Sequence, residues 1–301
     1  MNLDGSDLRQ LTRDGLNKFL AHFSPDGTRL VYSKFFTGQY GDPDPETDVV
    51  VYDFAEDAET RLTWSGHSFQ PAWSPDGTRI AYGSYQGDSL WIMDADGSNA
   101  RRVGAPSGAV DDLRWNDFAW SSDDWLLFTV GQNVNGCFKV RLDKMRPDGS
   151  GRTMVSEGGP NCTPPGWQQS GDADPGFSAD GKTIYSSRGF PSSPPGFNGQ
   201  TERKLYALSS DAWTPGKVER DLSLPSAPDG IEGVPKGSPD GTRILLFRAC
   251  AGEPHMGVTV TDIAGSYRRW IVDGFGADWN PAYGRGEPRN VSDSAGTRVI
   301  R

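Results

Sequence analysis

The residues best suited to chemistry are carboxylates that recur at fixed distances before a repeated aromatic-serine pattern. Asp117 and Asp174 stand four residues before the serine of that pattern or its equivalent, and Asp172, Glu232 and Asp278 stand six residues before it. If equivalent positions converge on one axis, such oxygen donors suit Ca²⁺ or another divalent cation. The candidate metal ligands are Asp117, Asp172, Asp174 and Asp278. The alternative is a solvated funnel whose acids accept hydrogen bonds from backbone amides.

Other residues at and beside these positions point to ligand binding instead of metal binding. They include a lysine, an arginine, two amides and an indole, which can recognise a polar ligand by hydrogen bonds and stacking. The predicted ligand-binding residues are Lys18, Gln70, Arg114, Trp115, Asp117, Asp174, Glu232 and Asn280.

Candidate general bases are few, because the chain contains only three histidines. His67 and His255 fall in predicted connections and could act as bases, with Arg114 or Lys18 neutralising a substrate carboxylate. His22 directly precedes a repeated aromatic residue and is predicted to fill the core. The sequence has no Gly-x-Ser-x-Gly elbow, phosphate loop, dinucleotide fingerprint or zinc-type cluster. We therefore expect binding in preference to catalysis.

Two of the three cysteines, Cys137 and Cys162, fall in loops predicted to lie on the same face. A disulfide between them would stabilise the fold by roughly 3 kcal/mol through the unfolded chain. Two unrelated buried thiols are the alternative. Cys250 is left over and is predicted to be a small apolar filler.

Two alternating turn patterns would position these residues. The first is an aromatic or apolar residue, then Ser-Pro-Asp-Gly-Thr-Arg, then an apolar run. Its copies, three of them close, two loose and one stretched by an insertion, lie at 23–30, 73–80, 237–244, 120–124, 177–182 and 281–300. Proline presets φ, aspartate bonds to the local backbone and glycine adopts positive φ, so each copy predicts a tight turn between two strands.

The second pattern is Met-x-x-Asp-Gly-Ser between two β-prone segments. Its clear copies are 1–6, 93–98 and 145–150, and degenerate copies begin near Tyr52, Ala207 and Thr261. Asp-Gly between apolar strands predicts a hairpin. The two patterns alternate six times, and two hairpins make the four antiparallel strands of one propeller blade. The predicted fold is therefore an all-β, six-bladed β-propeller.

We predict one domain over residues 1–301. The predicted first five blades cover about 17–63, 67–103, 114–156, 171–221 and 231–272. The sixth is composite, made of about 277–301 plus 1–12, so that pairing of the N- and C-terminal segments closes the ring and removes exposed strand edges. The strand that ends at Met1 lacks its first half, which predicts that upstream residues, a signal peptide included, are missing from this sequence.

These patterns resemble the WD40-like repeats of the TolB family, whose consensus is close to Trp-Ser-Pro-Asp-Gly-Thr-Arg-Ile-Ala-Tyr followed by Met-Asp-Ala-Asp-Gly-Ser. Residues 73–82 and 93–98 carry the match most clearly. The resemblance covers essentially the whole of this chain. It covers only the propeller part of TolB, because nothing in this sequence corresponds to the N-terminal α/β domain of TolB. It implies a propeller fold and an extracytoplasmic location, periplasmic or secreted.

Function is predicted from the loops, because a propeller scaffold serves many tasks. Long irregular loops are predicted on the face opposite the repeated turns, where binding residues concentrate; they cover 34–47, 104–117, 157–174, 187–203 and 249–256. We predict a non-catalytic binding propeller that recognises a protein, peptide or glycan on this face and in the central funnel. The alternatives are a carbohydrate lyase or hydrolase acting in the funnel with a divalent metal, and a fragment of a larger sensor or peptidase.

Charge and hydropathy exclude two classes of partner. The formal net charge of −10 argues against nucleic acid, which requires a basic surface. No apolar run of 18 residues is present, so the sequence predicts no membrane span. A monomer is expected.

Overall fold

The computed structural model describes residues 10–38, 44–84, 89–103, 118–134, 137–158, 170–190, 202–223, 230–250, 257–273, 278–281, 291–292 and 298–299. Within these ranges the regular secondary structure consists of β-strands. The same ranges include no helix of the length and apolarity that a membrane crossing requires.

Five four-stranded antiparallel units follow one another along the chain, and we number them blades 1 to 5. Blade 1 comprises β1 (Lys18–Phe23), β2 (Arg29–Thr37), β3 (Glu46–Asp53) and β4 (Ala58–Arg61). Blade 2 comprises β5 (Ser68–Trp73), β6 (Arg79–Ser84), β7 (Ser89–Asp94) and β8 (Arg101–Arg102). Blade 3 comprises β9 (Phe118–Trp120), β10 (Leu126–Val134), β11 (Cys137–Met145) and β12 (Thr153–Met154).

Blade 4 comprises β13 (Ser170–Phe177), β14 (Thr183–Phe190), β15 (Glu202–Ser209) and β16 (Glu219–Asp221). Blade 5 comprises β17 (Gly230–Gly237), β18 (Arg243–Cys250), β19 (Gly257–Asp262) and β20 (Arg269–Asp273). Two further short strands, β21 (Val291–Ser292) and β22 (Arg298–Val299), pair with each other, and β22 lies near β1.

The Ser-Pro-Asp-Gly turns join the first and second strands of the blades as predicted, and side chains stabilise them. In blade 2 the Ser74 hydroxyl donates to Asp76 at 2.6 Å and accepts from the amide of Arg79 at 2.9 Å. Asp76 also accepts from Thr78. Hydrogen bonds from Ser74 and Thr78 lower the pKa of Asp76 to about 2. Gly77 adopts a φ of 71°, which the turn requires.

Consecutive blades pack face to face through shared apolar clusters. Blade 1 contributes Val31 and Val51 to a cluster that Trp73, Ile80 and Met93 of blade 2 complete. Equivalent clusters join blade 2 to blade 3, blade 3 to blade 4 and blade 4 to blade 5. Such interdigitating burial of several large side chains at each junction holds the blades in a fixed order. The result is a β-propeller.

Short parallel backbone bridges reinforce three of these junctions. Each bridge joins the beginning of a blade's third strand to the entry of the next blade's first strand. The paired residues are Thr47 with His67, Lys139 with Ser170, and Arg203 with Ile231.

The segment 278–281 lies between blade 5 and blade 1. The indole nitrogen of Trp279 donates to the carbonyl of Lys236 in blade 5 at 2.8 Å, and Asp278 accepts from the amide of Phe23 in blade 1 at 3.0 Å. This position suits the innermost strand of a sixth blade. Most residues of that composite blade lie outside the described ranges, so its pairing with the N-terminal segment stays a prediction.

Candidate functional site in the central channel

The first strand of four blades carries a β-bulge at one equivalent residue, four positions before the serine of the turn. Leu20, Gln70, Asp174 and Val234 adopt φ values of 51°, 50°, 49° and 52°, which non-glycine residues rarely adopt. The pairing register shifts at each of these residues. The bulge brings all four to a narrow part of the central channel. Gln70 and Asp174, both predicted ligand-binding residues, therefore reach the channel.

The channel widens toward the face of the repeated turns into a cavity of about 340 Å³. Aromatic rings of Trp73, Phe118, Trp120 and Phe177 contribute apolar surface to its lining. The residue two positions before each turn serine also lines it: His22, Ala72, Ala119, Gly176 and Lys236. Three of these five are small, which leaves room in the channel, and two carry a polar head group.

His22 lines this cavity beside a carboxylate. Its Nδ1 lies 3.5 Å from Oδ2 of Asp278, which also faces the cavity. Burial lowers the pKa of His22, the nearby Lys236 ammonium lowers it further, and Asp278 opposes both effects without overcoming them. The imidazole is therefore neutral at pH 7 and can donate and accept hydrogen bonds. The prediction that His22 fills the core is wrong, because its side chain lines the channel.

Two of the acids predicted to converge on the axis, Asp172 and Glu232, are instead buried inside their blades. The carboxylate of Asp172 is 0% exposed and binds Arg188 at 2.6 and 2.8 Å. Glu232 binds Arg268 at 2.6 and 2.9 Å. Strand side chains alternate between faces, so positions four and six residues before the serine were expected to share one face. The bulge begins at the position four residues before the serine, where two residues of the first strand oppose one of the second, and it interrupts that alternation.

Lys18 occupies the equivalent position in blade 1 and is also buried, paired with Asp14 and hydrogen-bonded to the Leu16 carbonyl at 3.0 Å. Asn280 is 5% exposed and its amide lies against Gly27 in the first turn of blade 1. Both side chains therefore contact the protein itself, although Asn280 lies in the segment that adjoins the channel. Their predicted ligand-binding role remains untested.

Of the two predicted bases, the structure describes His67. His67 lies in the connection between blades 1 and 2, where its amide donates to the Ser65 hydroxyl at 3.1 Å. Arg114, Trp115, Asp117 and His255 fall outside the described residues, as does Cys162. The disulfide between Cys137 and Cys162 therefore stays a prediction.

No group of three or more metal-binding side chains occurs within the described part of the chain. Asp172 pairs with Arg188, and Asp278 lies beside His22. A site that used Asp117 would include a residue outside the described ranges. Ca²⁺ or another divalent cation in the channel stays a prediction.

Known proteins resemble this chain in repeat sequence and in fold. No protein-family model matches it. The protein TolB homolog of Chlorobium luteolum is 29% identical over 106 residues, which are 35% of this chain and 23% of that protein. The structure of a putative TolB from Agrobacterium tumefaciens superposes with a TM-score of 0.61 at 16% identity, covering 89% of this chain and 84% of that one.

The fold is a TolB-type β-propeller.

Propellers of enzymes share this architecture. The uncharacterized peptidase YuxL of Bacillus subtilis is 28% identical over 193 residues, or 55% of this chain and 28% of that protein. An oligogalacturonate lyase in complex with manganese superposes with a TM-score of 0.55 at 16% identity over 86% of this chain and 67% of that one. The chain spans less than a third of the length of these two curated relatives.

Proposed function

We propose that this TolB-type propeller is a non-catalytic binding protein that receives a peptide segment of a partner protein in its central channel. The cavity at the turn face carries the proposal. Its volume of about 340 Å³ falls in the range of ligand-binding pockets. Apolar rings line it together with His22, Asp278 and Lys236, so it offers both hydrophobic contact and a few fixed polar groups.

The cavity is built for recognition with little reorganisation. Its walls are first strands whose bulges are repeated in four blades, and each turn at its rim is fixed by a serine-aspartate hydrogen bond. A site that is ordered before the ligand arrives loses less conformational entropy on binding. Lys236 and the neutral His22 suit a ligand with a carboxylate or a carbonyl group.

The comparisons support a protein partner and an extracytoplasmic location as part of the same proposal. One matching relative, from Anaeromyxobacter dehalogenans, is the Tol-Pal system protein TolB, which is 30% identical over 104 residues, 34% of this chain and 22% of that protein. The long-loop face remains a second candidate surface for the same partner, as the sequence predicted.

Panning a displayed peptide library against the protein tests this proposal. Enriched peptides are synthesised and their Kd is measured by calorimetry. We expect Lys236→Glu to weaken binding at least tenfold, since a charge in the binding cavity is reversed. Arg220→Glu makes the same charge change on the exposed outermost strand of blade 4 and should leave Kd unchanged. A library without enriched peptides, or equal losses in both variants, would reject the proposal.

Catalysis is the second candidate function, and the His22–Asp278 pair favours it because a neutral imidazole beside a carboxylate can act as a base. Oligogalacturonate with Mn²⁺ is the substrate to try, with the unsaturated product followed by its absorbance. Turnover by the wild-type protein that His22→Gln abolishes would replace the binding proposal with an enzyme. Without turnover under conditions where selected peptides bind, the binding proposal stands.

A further inference from the structure

An exposed tryptophan marks a second surface of the molecule, away from the channel cavity. Trp64 is 76% exposed and lies in the connection between β4 of blade 1 and β5 of blade 2. This connection opens on the face opposite the repeated turns. A fixed, exposed indole offers a flat apolar surface on which a ligand can stack.

Arg61 fixes the ring from one side. Its guanidinium carbon lies 4.4 Å from the centroid of Trp64 and 3.8 Å from the centroid of Phe36, so the cation is stacked with both rings. Nε of Arg61 donates to the carbonyl of Thr63 at 3.0 Å, and the guanidinium also pairs with the buried carboxylate of Asp48. The indole is therefore held in place before any ligand arrives.

Asp48 also fixes the loop that carries the tryptophan. It accepts hydrogen bonds from the Thr63 hydroxyl at 2.6 Å and from the amides of Ser65 and Gly66, both at 3.2 Å. One buried carboxylate thus organises the whole connection around Trp64. Such a network defines the position of an exposed side chain more tightly than a surface loop normally does.

Polar groups flank the ring. The Glu46 side chain is 44% exposed and its carboxylate lies 3.3 Å from the Arg61 guanidinium that contacts the indole. The exposed Ser65 follows Trp64 directly, and its hydroxyl lies 2.8 Å from that of Ser68. A carboxylate and a hydroxyl beside a flat aromatic ring match the hydroxyl groups and the C–H face of a sugar.

We infer that Trp64, Glu46 and Ser65 form a binding platform for one ring of a neutral glycan. The pyranose stacks on the exposed face of the indole, and its hydroxyls bond to Glu46 and Ser65. A neutral sugar is favoured over an acidic one because Glu46 lies at the site and the chain carries a net charge of −10. A stable protein interface buries about 800 Å² per partner and would need many more contacts than these three side chains provide.

The test measures binding to insoluble chitin, cellulose and xylan by pull-down, and to chitotetraose and cellotetraose by calorimetry. We expect the wild-type protein to bind at least one of them and Trp64→Ala to weaken that binding at least tenfold. Trp64→Phe keeps an aromatic face and should retain part of the affinity. Trp270→Ala removes another exposed indole, on the outermost strand of blade 5, and should change nothing.

This inference and the proposed peptide function fail separately. A wild-type protein that binds none of these glycans, or equal losses in Trp64→Ala and Trp270→Ala, would overturn the glycan platform and leave the channel proposal intact. If Trp64→Ala weakens the selected peptides instead of the glycans, the platform belongs to protein recognition and the glycan inference is wrong. Loss of peptide binding in Lys236→Glu with unchanged glycan binding is the result expected when both hold.

Discussion

Blades 1 and 4 carry ionic arrays at the same place, and their first-strand residues are opposite in charge. In blade 1 the first strand contributes Lys18, which pairs with Asp14, and Lys34 on the second strand binds Asp14 and the fourth-strand Glu59. In blade 4 the first strand contributes Asp172, which binds Arg188 on the second strand, and Arg188 also binds the fourth-strand Glu219. Lys18 faces Lys34, and Asp172 faces Arg188, across equivalent strand pairs.

The opposite charges of Lys18 and Asp172 show that a buried charge at this first-strand position must be paired, whatever its sign. A buried ion is tolerated only when it is paired and hydrogen-bonded. Each blade meets that condition with its own set of partners. A carboxylate here, such as Asp172, therefore says little about a metal or a ligand, and the residues that face the channel are better guides to function.

Asp172→Ala should produce the largest effect. It leaves Arg188 buried with Glu219 as its remaining acidic partner, and breaking a buried pair typically costs about 3–5 kcal/mol. Urea unfolding followed by circular dichroism measures the loss of free energy. The double variant Asp172→Ala/Arg188→Met removes both charges and should recover much of it. A double variant no more stable than the single one would show that the array is not balanced in this way.

Lys18→Met in blade 1 should cost less, about 1–2 kcal/mol. Its partner Asp14 is 31% exposed and keeps its bond to Lys34 at 2.5 Å, so water and a second cation replace the lost partner. Burial raises the pKa of Asp14, but hydrogen bonds from Lys18 and Lys34 outweigh it and hold the pKa well below its ordinary value. A loss as large as that of Asp172→Ala would mean that the two arrays respond alike.

Asp174→Ala is the matched test on the channel side of the same strand as Asp172. Asp174 is 23% exposed and lies 3.3 Å from Arg203, so its ion pair is partly screened by water. We expect a loss of at most about 1 kcal/mol in the same unfolding experiment. Equal losses for Asp172→Ala and Asp174→Ala would contradict the assignment of one to the blade interior and of the other to the channel.

The pH dependence of stability tests the channel residue His22 and not the ionic arrays. It should be the smallest of the four effects. The folded protein lowers the pKa of His22 from its ordinary value of 6.5, mainly by burial, so the unfolded chain binds more protons below that pH. Stability due to this group is complete above about pH 6.5 and falls as the pH decreases below it. Unfolding at pH 5 and pH 7 should show a smaller difference in His22→Gln than in the wild type. An unchanged difference would place His22 in an ordinary aqueous environment.

The turns and the all-β propeller were predictable because their signals are local. Proline, aspartate and glycine favour the turn wherever it occurs, and the serine and aspartate of each copy bond to each other as the spacing implies. The bulge was not predictable, since leucine, glutamine, aspartate and valine all occupy it, and aspartate alone among them is enriched at positive φ. The bulge interrupted the side-chain alternation, and Asp172 and Glu232, six positions before the serine, were therefore assigned to the wrong surface.

The alignment of the repeats on the turn serine also contained a signal for the cavity lining that the prediction did not use. Two positions before the serine, the alignment has His22, then three small residues, then Lys236, and this position lines the cavity. Trp64 offered no comparable signal. Its ring is held by Arg61, which also stacks on Phe36, and Phe36 and Arg61 meet only when the second and fourth strands of blade 1 lie in one sheet. Contacts of that kind follow from tertiary structure, and the spacing of residues along the chain does not predict them.

The parallel bridges at three blade junctions have a consequence for how the protein unfolds. Because the third strand of one blade is bonded through its backbone to the entry of the next, opening one blade also breaks part of its neighbour. Blades coupled in this way should lose structure together in a single transition. Since backbone groups form the bridges, replacing the side chains of the bridging residues themselves should leave this coupling in place.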